Sequence, residues 1–223
     1  MSARGRLIVF EGGEGSGKST QLKRLRASLQ STGVLCVTLH EPGGTPLGDD
    51  VRKLLLSPSS DITPRAEALL FMASRAQLVD DKINPALERG AIVLLDRFFL
   101  STYAYQIAGR GLPQDDVRAS NDFATAGLVP DLTLLLTFPA RAGLDRVTYR
   151  DASHDRIEAL GEAFHERVAN AFAEFARPEW QGAHRECGPI VAVNADGTVE
   201  EVELRVRAAI ENKWPEFFAS RNA

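Results

Sequence analysis

The chain has 223 residues, of which 44% are apolar and 25% are charged, and its formal net charge is −4. This composition is ordinary for a globular protein, and the length allows one large α/β domain or two small ones. The acidic balance argues against general nucleic-acid binding but leaves local arginine clusters free to hold small anions.

Signals for secretion, disulfide bonding and membrane insertion are missing from the sequence. Cys36 and Cys187 are the only cysteines, too few for a disulfide framework, and they fit a reducing compartment. The apolar run after Arg6 is too short for a signal peptide or a membrane span. No linker rich in Pro, Gly or Ser divides the sequence. We therefore expect one domain over residues 1–223, in the cytoplasm, with no membrane or nucleic-acid partner.

Near its start the chain carries a glycine-rich stretch that fits the phosphate-binding pattern G-x-x-x-x-G-K-[ST]. The apolar run 7–10 before it predicts a strand, and leucines at helical spacing follow it. Lys18 would reach the β- and γ-phosphates of a nucleotide, and Ser19 would hold Mg²⁺. A glycine turn that binds nothing is the alternative, and both flanks argue against it. The residues predicted to bind ATP phosphates are Gly12, Gly13, Glu14, Gly15, Ser16, Gly17, Lys18, Ser19 and Thr20.

Strands and helices alternate along the rest of the chain. Further strands are predicted at 34–39, 91–96, 132–138 and 190–193. Helices are predicted at 18–30, 49–56, 64–88, 101–108, after Pro113, at 139–149, from near Arg156, and after a capping box formed by Thr198 and Glu201. This alternation predicts a five-stranded parallel sheet with helices on both faces. Ligands should then lie at the carboxyl ends of the strands.

Polar residues at those strand ends suggest a metal site and an anion site. Asp96 ends an apolar strand, where a carboxylate can support Mg²⁺, and a simple strand-end cap is the alternative. Arg97 follows directly and suits bidentate contact with a phosphate, although a surface ion pair would use the same residue. Glu14 lies among the phosphate-binding residues, where it would contact a metal or a sugar hydroxyl unless it turns outward.

Two pairs of residues spaced four apart suggest a place for a base. Phe71 and Arg75 share a helix face, which suits stacking on a base and donating to its carbonyl oxygen. A phenylalanine at the core edge with an extended arginine explains the pair equally well. Thr102 and Gln106, with Tyr105 between them, could contact a base edge and a sugar, or could simply be a solvated helix face.

A polar segment late in the chain suggests a lid at about 143–157. Arg146 and Arg150 enter it and Arg156 leaves it. Phosphoryl transfer depends mainly on positioning and on neutralising charge, which a mobile arginine-bearing lid would supply while excluding water. An exposed basic loop is the alternative.

Together these residues resemble the thymidylate kinase family, nucleoside-monophosphate kinases that phosphorylate dTMP. The resemblance covers nearly the whole chain. It rests less on the phosphate loop, which many families share, than on several other stretches. These are Glu41-Pro42-Gly43-Gly44-Thr45, Phe71-x-x-x-Arg75, Asp96-Arg97 with Ser101-Thr102, Ala104-Tyr105-Gln106 with Gly109-Arg110-Gly111, and Asp155-Arg156-Ile157-Glu158.

The resemblance implies a P-loop nucleoside-monophosphate-kinase fold, ATP and Mg²⁺, and often a homodimer. It implies that Phe71 stacks on thymine, that Arg75 bonds its carbonyl edge, and that Tyr105 favours deoxyribose. The implied dTMP-binding residues are Glu41, Pro42, Arg52, Phe71, Arg75, Arg97, Thr102, Tyr105 and Gln106. The implied catalytic residues are Lys18, Arg97, Arg150, Arg146 and Glu14. The predicted metal-binding residues are Ser19, Asp96 and Glu14.

The chain departs from some relatives just after Glu14. Eukaryotic members carry an arginine at the next position, whereas this chain has Gly15. The missing charge must then come from the lid, with Arg150 favoured over Arg146, as in the bacterial type with a basic lid.

Two other functions use a similar scaffold. A nucleoside kinase would not need the acceptor-phosphate arginines Arg52 and Arg97. A GTP-dependent switch would want a guanine-reading N-K-x-D after a late strand, where this chain has Asn194-Ala195-Asp196.

Overall fold

A five-stranded parallel sheet forms the centre of the protein, as the alternating pattern predicts. The computed structural model describes residues 4–138 and 155–218. The strand order is β2-β3-β1-β4-β5, and every neighbouring pair is parallel. The strands are β1 Arg6–Glu11, β2 Cys36–His40, β3 Ile92–Asp96, β4 Leu132–Thr137 and β5 Ile190–Asn194.

Helices cover both faces of this sheet. They are α1 Lys18–Ser31, α2 Pro46–Leu56, α3 Pro64–Leu78, α4 Asn84–Glu88, α5 Phe99–Thr102, α6 Gln114–Thr125, α7 Glu162–Phe175, α8 Pro178–Ala183 and α9 Val199–Glu211. Within the described ranges, none of them has the length and apolar character that a bilayer crossing requires.

The central strand β1 shows why both faces are buried. Leu7 and Val9 pack into the core shared with α3, α4, α5 and α7, whereas Ile8 and Phe10 pack into the core shared with α1 and α9. Side chains alternate between the faces of a strand, so a run of apolar residues is needed to fill both cores.

Two of the predicted helices contain π-helical turns. The predicted helix 64–88 is continuous but passes through a π segment, Val79–Ile83, between α3 and α4. The helix predicted at 101–108 begins at Phe99 and becomes π-helical over Tyr103–Gly109. Such turns are rare and are often found at functional sites.

The prediction that a helix resumes near Arg156 is wrong, because α7 begins at Glu162. The Asp155 carboxylate accepts hydrogen bonds from the backbone N–H groups of Ile157 and Glu158, at 2.8 and 2.9 Å. A side chain that bonds nearby backbone in this way favours a turn over a helix. The short helix α8 was not predicted, and the helix predicted at 139–149 lies outside the described residues.

The last helix, α9, begins with the predicted capping box. The Thr198 hydroxyl accepts from the N–H of Glu201 at 3.2 Å, and the Glu201 carboxylate accepts from the N–H of Thr198 at 2.8 Å. Val202, Val206 and Ile210 of α9 are buried, whereas Val199 in its first turn is 41% exposed.

We expect Thr198→Ala to lower the free energy of unfolding by about 1 kcal/mol, because it leaves an amide of the first turn without its acceptor. Thr198→Ser keeps the hydroxyl and is the matched control. Urea denaturation of the three proteins measures the difference. Equal stability of Thr198→Ala and the wild type would show that the box does not stabilise α9.

Candidate active site

A cavity of about 870 Å³ lies at the carboxyl edge of the sheet, where the parallel topology predicts a ligand site. It joins the glycine-rich loop to the ends of β2 and β3 and to side chains of α3 and α5. The sequence-predicted residues that line it are Glu14, Gly15, Gly17, Lys18, Ser19, Thr20, Glu41, Pro42, Arg52, Phe71, Arg75, Asp96, Arg97, Thr102, Tyr105 and Gln106.

The remaining predicted residues fall elsewhere. Gly13 and Ser16 line a second cavity of about 290 Å³ on the other side of the loop, and Gly12 lines neither of the two. Arg146 and Arg150 lie outside the described residues. The predicted lid therefore stays a prediction.

The loop between β1 and α1 needs glycine at specific positions. Gly15 and Gly17 have φ values of 69° and 89°, in the left-handed region that disfavours other residues. A Cβ added at Gly12 would lie 2.5 Å from the carbonyl oxygen of Leu136 on β4. α1 then begins at Lys18 without a side-chain cap. The amides of its first turn and its dipole suit an anion at this end.

Lys18 folds back over this loop. Its Nζ donates to the carbonyl oxygens of Gly12 and Gly13, at 2.9 and 2.7 Å. Burial and, after it, the nearby charge of Arg97 lower the pKa of this amine to about 8, although Glu14 opposes both. A large fraction of the amine is therefore uncharged at mildly alkaline pH, and a bound polyphosphate would favour the charged form.

The side chains of Ser19 and Asp96 both line the cavity and contact each other. The Ser19 hydroxyl donates to Oδ2 of Asp96 at 2.7 Å, which brings two oxygen ligands together beside the loop. In the part of the chain that the structure describes, no cluster of three His, Cys, Asp or Glu side chains could hold a metal. The pair suits Mg²⁺, which is usually held by one or two protein oxygens together with substrate phosphates and water.

Glu14 turns inward and joins the loop to the opposite wall. Its Oε1 accepts from Nη2 of Arg97 at 2.6 Å and from the hydroxyl of Tyr105 at 2.7 Å. Burial alone would raise the pKa of this carboxyl. The positive charges of Arg97 and Lys18 and the bond from Tyr105 outweigh it and lower the pKa to about 2. The carboxylate is thus charged at neutral pH and is already engaged, so its predicted contact with a metal or sugar stays a prediction.

Glu11 was missed by the sequence analysis. It ends β1, is fully buried, and accepts from the N–H groups of Phe98 and Ser101 at 2.7 and 3.0 Å. Its other oxygen accepts from the Ser101 hydroxyl at 2.6 Å, and that hydroxyl accepts from Nη1 of Arg97 at 3.1 Å. The sequence did contain a signal for this residue, because Glu11 is an acidic residue that directly follows an apolar strand and precedes Gly12.

Arg97 itself has an unusual backbone. Its φ is 71°, one of two positive values among the described non-glycine residues. Its N–H bonds the carbonyl oxygen of Phe10 on β1 at 3.0 Å, and its guanidinium lies 5.3 Å from the centre of the Tyr105 ring. Positive φ in a residue other than glycine costs free energy and often marks a functional position.

All three guanidinium nitrogens of Arg75 contact protein partners. The residue is 2% exposed, and its Nε and Nη2 contact Oε2 of Glu41 at 2.8 and 2.6 Å. Nη1 donates to Thr102 and Asn121, and Nη2 also donates to the carbonyl oxygen of Phe98. Four of the five N–H groups of the guanidinium therefore donate hydrogen bonds, and all three of its nitrogens have protein partners. The implied bond from Arg75 to a base carbonyl stays a prediction.

The other residues implied to bind dTMP lie around this arginine. Phe71 is half-buried one turn earlier on α3, and the hydroxyl of Thr102 accepts from Arg75 at 2.9 Å. Arg52 donates from α2 to the carbonyl oxygen of Pro42 at 3.1 Å. The buried Oε1 of Glu41 has no hydrogen-bond partner among the described residues. Phe71 and Arg52 therefore border one cavity, as their implied roles require.

A second buried carboxylate, Glu67, was also missed. It lies in the first turn of α3, is 1% exposed, and pairs with Arg110 and Arg156 at 2.5 and 2.7 Å. Arg156 also donates to the carbonyl oxygen of Leu55 at 2.8 Å. Arg156, which leaves the predicted lid, is thus anchored to α2 and α3.

The fold and this cavity define a P-loop nucleotide-binding protein in which the phosphate loop and an arginine-bearing wall line one cavity. The sequence model of the family described as Thymidylate kinase matches residues 10–186. The chain therefore belongs to the thymidylate kinase family.

Curated relatives of this family align over most of the chain. A protein named Thymidylate kinase from Deinococcus radiodurans is 42% identical over 211 residues, which cover 95% of this chain and 98% of the relative. One from Carboxydothermus hydrogenoformans is 45% identical over 176 residues, 79% of this chain and 86% of the relative. One from Thermomicrobium roseum is 45% identical over 204 residues, 90% of this chain and 97% of the relative.

We expect ATP binding to take up a proton at about pH 8 and above, because the Lys18 amine has a pKa of about 8 before a polyphosphate holds its charge. Affinity should accordingly fall as the pH rises above this value. Calorimetric titrations in two buffers of different ionisation enthalpy measure the uptake. Lys18→Met should lose it, whereas Lys53→Met, which removes an exposed lysine paired with Asp50, should keep it. Uptake that persists in Lys18→Met would assign the proton to another group.

Proposed function

We propose that this chain transfers the γ-phosphoryl group of ATP to dTMP, giving ADP and dTDP, with Mg²⁺. The observation that carries the proposal is the single cavity that joins the phosphate loop to the wall bearing Phe71, Arg97 and Gln106. A donor triphosphate and an acceptor monophosphate can therefore face one another in it. Membership of the thymidylate kinase family supports the same reaction.

On the donor side, the amides of the loop and Lys18 would hold the β- and γ-phosphates. Ser19 and Asp96 would hold Mg²⁺, which neutralises charge on the phosphates when it is bound. Glu14, whose pKa of about 2 keeps it charged, would hold Arg97 and the Tyr105 hydroxyl in place until substrate arrives.

On the acceptor side, Arg97 and Arg52 would bind the dTMP phosphate. Arg97 is suited to this because it lines the cavity and because Glu14 and Ser101 fix two of its nitrogens. Phe71 would stack on thymine, and Thr102 and Gln106 would contact the base edge. Glu41 and Pro42 would form the wall beside Arg75, and Tyr105 would lie against the sugar.

The chemistry needs no nucleophilic side chain, because the acceptor phosphate is already anionic. Catalysis then consists of alignment of the two phosphates and stabilisation of the charge that develops on the transferred group. Lys18 and Arg97 both line the cavity, so both charges would be available to that group. Arg150, and after it Arg146, would supply the further charge from a lid at about 143–157.

We also propose that the enzyme works as a cytoplasmic homodimer. The packed pair of helices α3 and α6 carries two apolar side chains in solvent, Leu69 at 60% and Phe123 at 90% exposure. A contact with the same surface of a second copy would remove both from water.

The proposed reaction is tested by ADP release with ATP and Mg²⁺ against dTMP, dUMP, dCMP, dGMP, AMP, thymidine and no acceptor. We expect strong turnover with dTMP, weak turnover with dUMP and none with thymidine. Turnover with thymidine but not dTMP would indicate a nucleoside kinase. Equal slow hydrolysis in every reaction would indicate a nucleotide-hydrolysing switch.

We expect Arg97→Ala to lower kcat/KM for dTMP by roughly 100-fold or more, since it removes a fixed charge from the transferred group and its acceptor. The matched control is Arg118→Ala, which removes a guanidinium that pairs with Glu186 outside the cavity. Steady-state kinetics with varied dTMP give the comparison. Near-normal activity of Arg97→Ala would contradict the assigned role.

A further inference from the structure

The carboxylate of Glu67 lies directly behind the acceptor pocket. Its Oε1 accepts from Nε2 of Gln106 at 3.2 Å and from Nε of Arg110 at 3.0 Å. Its Oε2 accepts from Nη2 of Arg110 and from Nη2 of Arg156, at 2.5 and 2.7 Å. Each oxygen therefore accepts two hydrogen bonds.

This arrangement fixes the orientation of the Gln106 side chain. A carboxylate can only accept hydrogen bonds, so the amide group that faces Glu67 must be the NH₂. Burial would raise the pKa of Glu67, but the bonds from Arg110 and Arg156 outweigh it and lower the pKa, which keeps the carboxylate charged. Gln106 lines the cavity, so the amide atom left for a ligand is its carbonyl oxygen, an acceptor.

We infer that Glu67 is a specificity-determining positioning residue: by holding the Gln106 amide in one orientation, it makes the pocket select a base that offers an N–H. The inference rests on the proposed function, in which Gln106 contacts the acceptor base. Glu67 touches no substrate in this scheme and acts through Gln106 alone.

Thymine and cytosine differ at N3, the ring position that the carbonyl oxygen of Gln106 would contact. Thymine carries a hydrogen on N3 and can donate there, whereas N3 of cytosine has a lone pair and can only accept. An oxygen of Gln106 therefore matches thymine and opposes cytosine. A site that leaves buried polar groups unpaired with the wrong ligand discriminates strongly against it.

Glu67→Gln should reverse this preference. The Oε2 position accepts from both arginines, whereas the Oε1 position accepts from Nε of Arg110 and from Gln106. The new side chain therefore keeps more arginine contacts with its oxygen at Oε2 and its NH₂ towards Gln106, and gives up the bond from Nε of Arg110. Gln106 would then turn its own oxygen towards that NH₂ and present its NH₂ to the cavity. A donor in the cavity matches N3 of cytosine and opposes N3 of thymine.

The experiment measures kcat and KM for dTMP and dCMP in the wild type and in Glu67→Gln. We expect the ratio of kcat/KM for dTMP to that for dCMP to fall by about tenfold or more, mainly through a higher KM for dTMP. Loosening of Arg156 or general loss of stability would lower both activities together and leave the ratio unchanged. The ratio is therefore the readout that a purely structural role of Glu67 would not move.

A double-mutant cycle tests whether the effect passes through Gln106. In Gln106→Leu, which has no amide to orient, adding Glu67→Gln should leave the ratio of dTMP to dCMP unchanged. Glu186→Gln is the matched control, because it neutralises another carboxylate that accepts from a tyrosine and an arginine but lies outside the cavity. It should keep the wild-type ratio.

An unchanged ratio in folded Glu67→Gln, with the wild type active on dTMP, would overturn the inference and leave the proposed function intact. A fall of equal size in the Gln106→Leu background would also overturn it, because the effect would then bypass the amide. Failure of the wild type to use dTMP would instead overturn the proposed function. Thermal unfolding of each variant identifies any that does not fold, and the cycle then proceeds with Glu67→Asp, which keeps the charge but shortens its reach to Gln106 and should also lower the ratio.

Discussion

The buried carboxylate of Glu11 is the interaction on which the site depends. Burying a charge is costly unless it is fully hydrogen-bonded, and Glu11 meets this condition through two amides and a hydroxyl. These bonds fasten the end of the central strand to the beginning of α5. Because the glycine loop starts at the next residue and Ser101 also holds Arg97, one side chain sets the spacing between the phosphate loop and the acceptor arginine.

On the wall of the cavity proposed to bind the acceptor, buried carboxylates are likewise held by hydrogen bonds, here from several arginines. Glu41 accepts from the buried Arg75, and Glu67 accepts from the partly buried Arg110 and Arg156. Apart from Oε1 of Glu41, the carboxylate oxygens behind the pocket are therefore paired before any ligand enters. A site built in this way loses little conformational freedom on binding and presents a fixed pattern of donors and acceptors. Arg75 in this view gives the wall its shape, whereas Gln106 and Arg97 keep polar groups that face the cavity.

Local sequence patterns were sufficient to predict the scaffold. The parts of the site that depend on contacts between residues far apart in the sequence could not be predicted from such patterns. The glycine loop, the apolar strands and the Thr198 capping box are specified by neighbouring residues, and all three were predictable. Glu11 and Glu67 were not, since their partners lie 87 to 90 and 39 to 89 residues away in the sequence. The turn at Asp155 was missed because the residues after it are compatible with a helix. The Asp155 carboxylate instead accepts hydrogen bonds from their backbone N–H groups, which stabilises a turn. Phe71 and Arg75 share a helix face as predicted, but the sequence could not show that buried partners contact all three nitrogens of the guanidinium.

The π-helical segment Tyr103–Gly109 has a consequence for how such pockets diverge. A turn closed by i→i+5 bonds holds one residue more than an α-helical turn, so removing a residue there can be absorbed by reversion to regular helix. The hydrogen-bonded scaffold would survive, but side chains beyond the deletion would rotate by about 100° relative to those before it. Gln106 would leave the cavity and a neighbour would take its place. Single-residue insertions and deletions in this segment therefore offer evolution a route to new acceptor substrates that ordinary substitution does not.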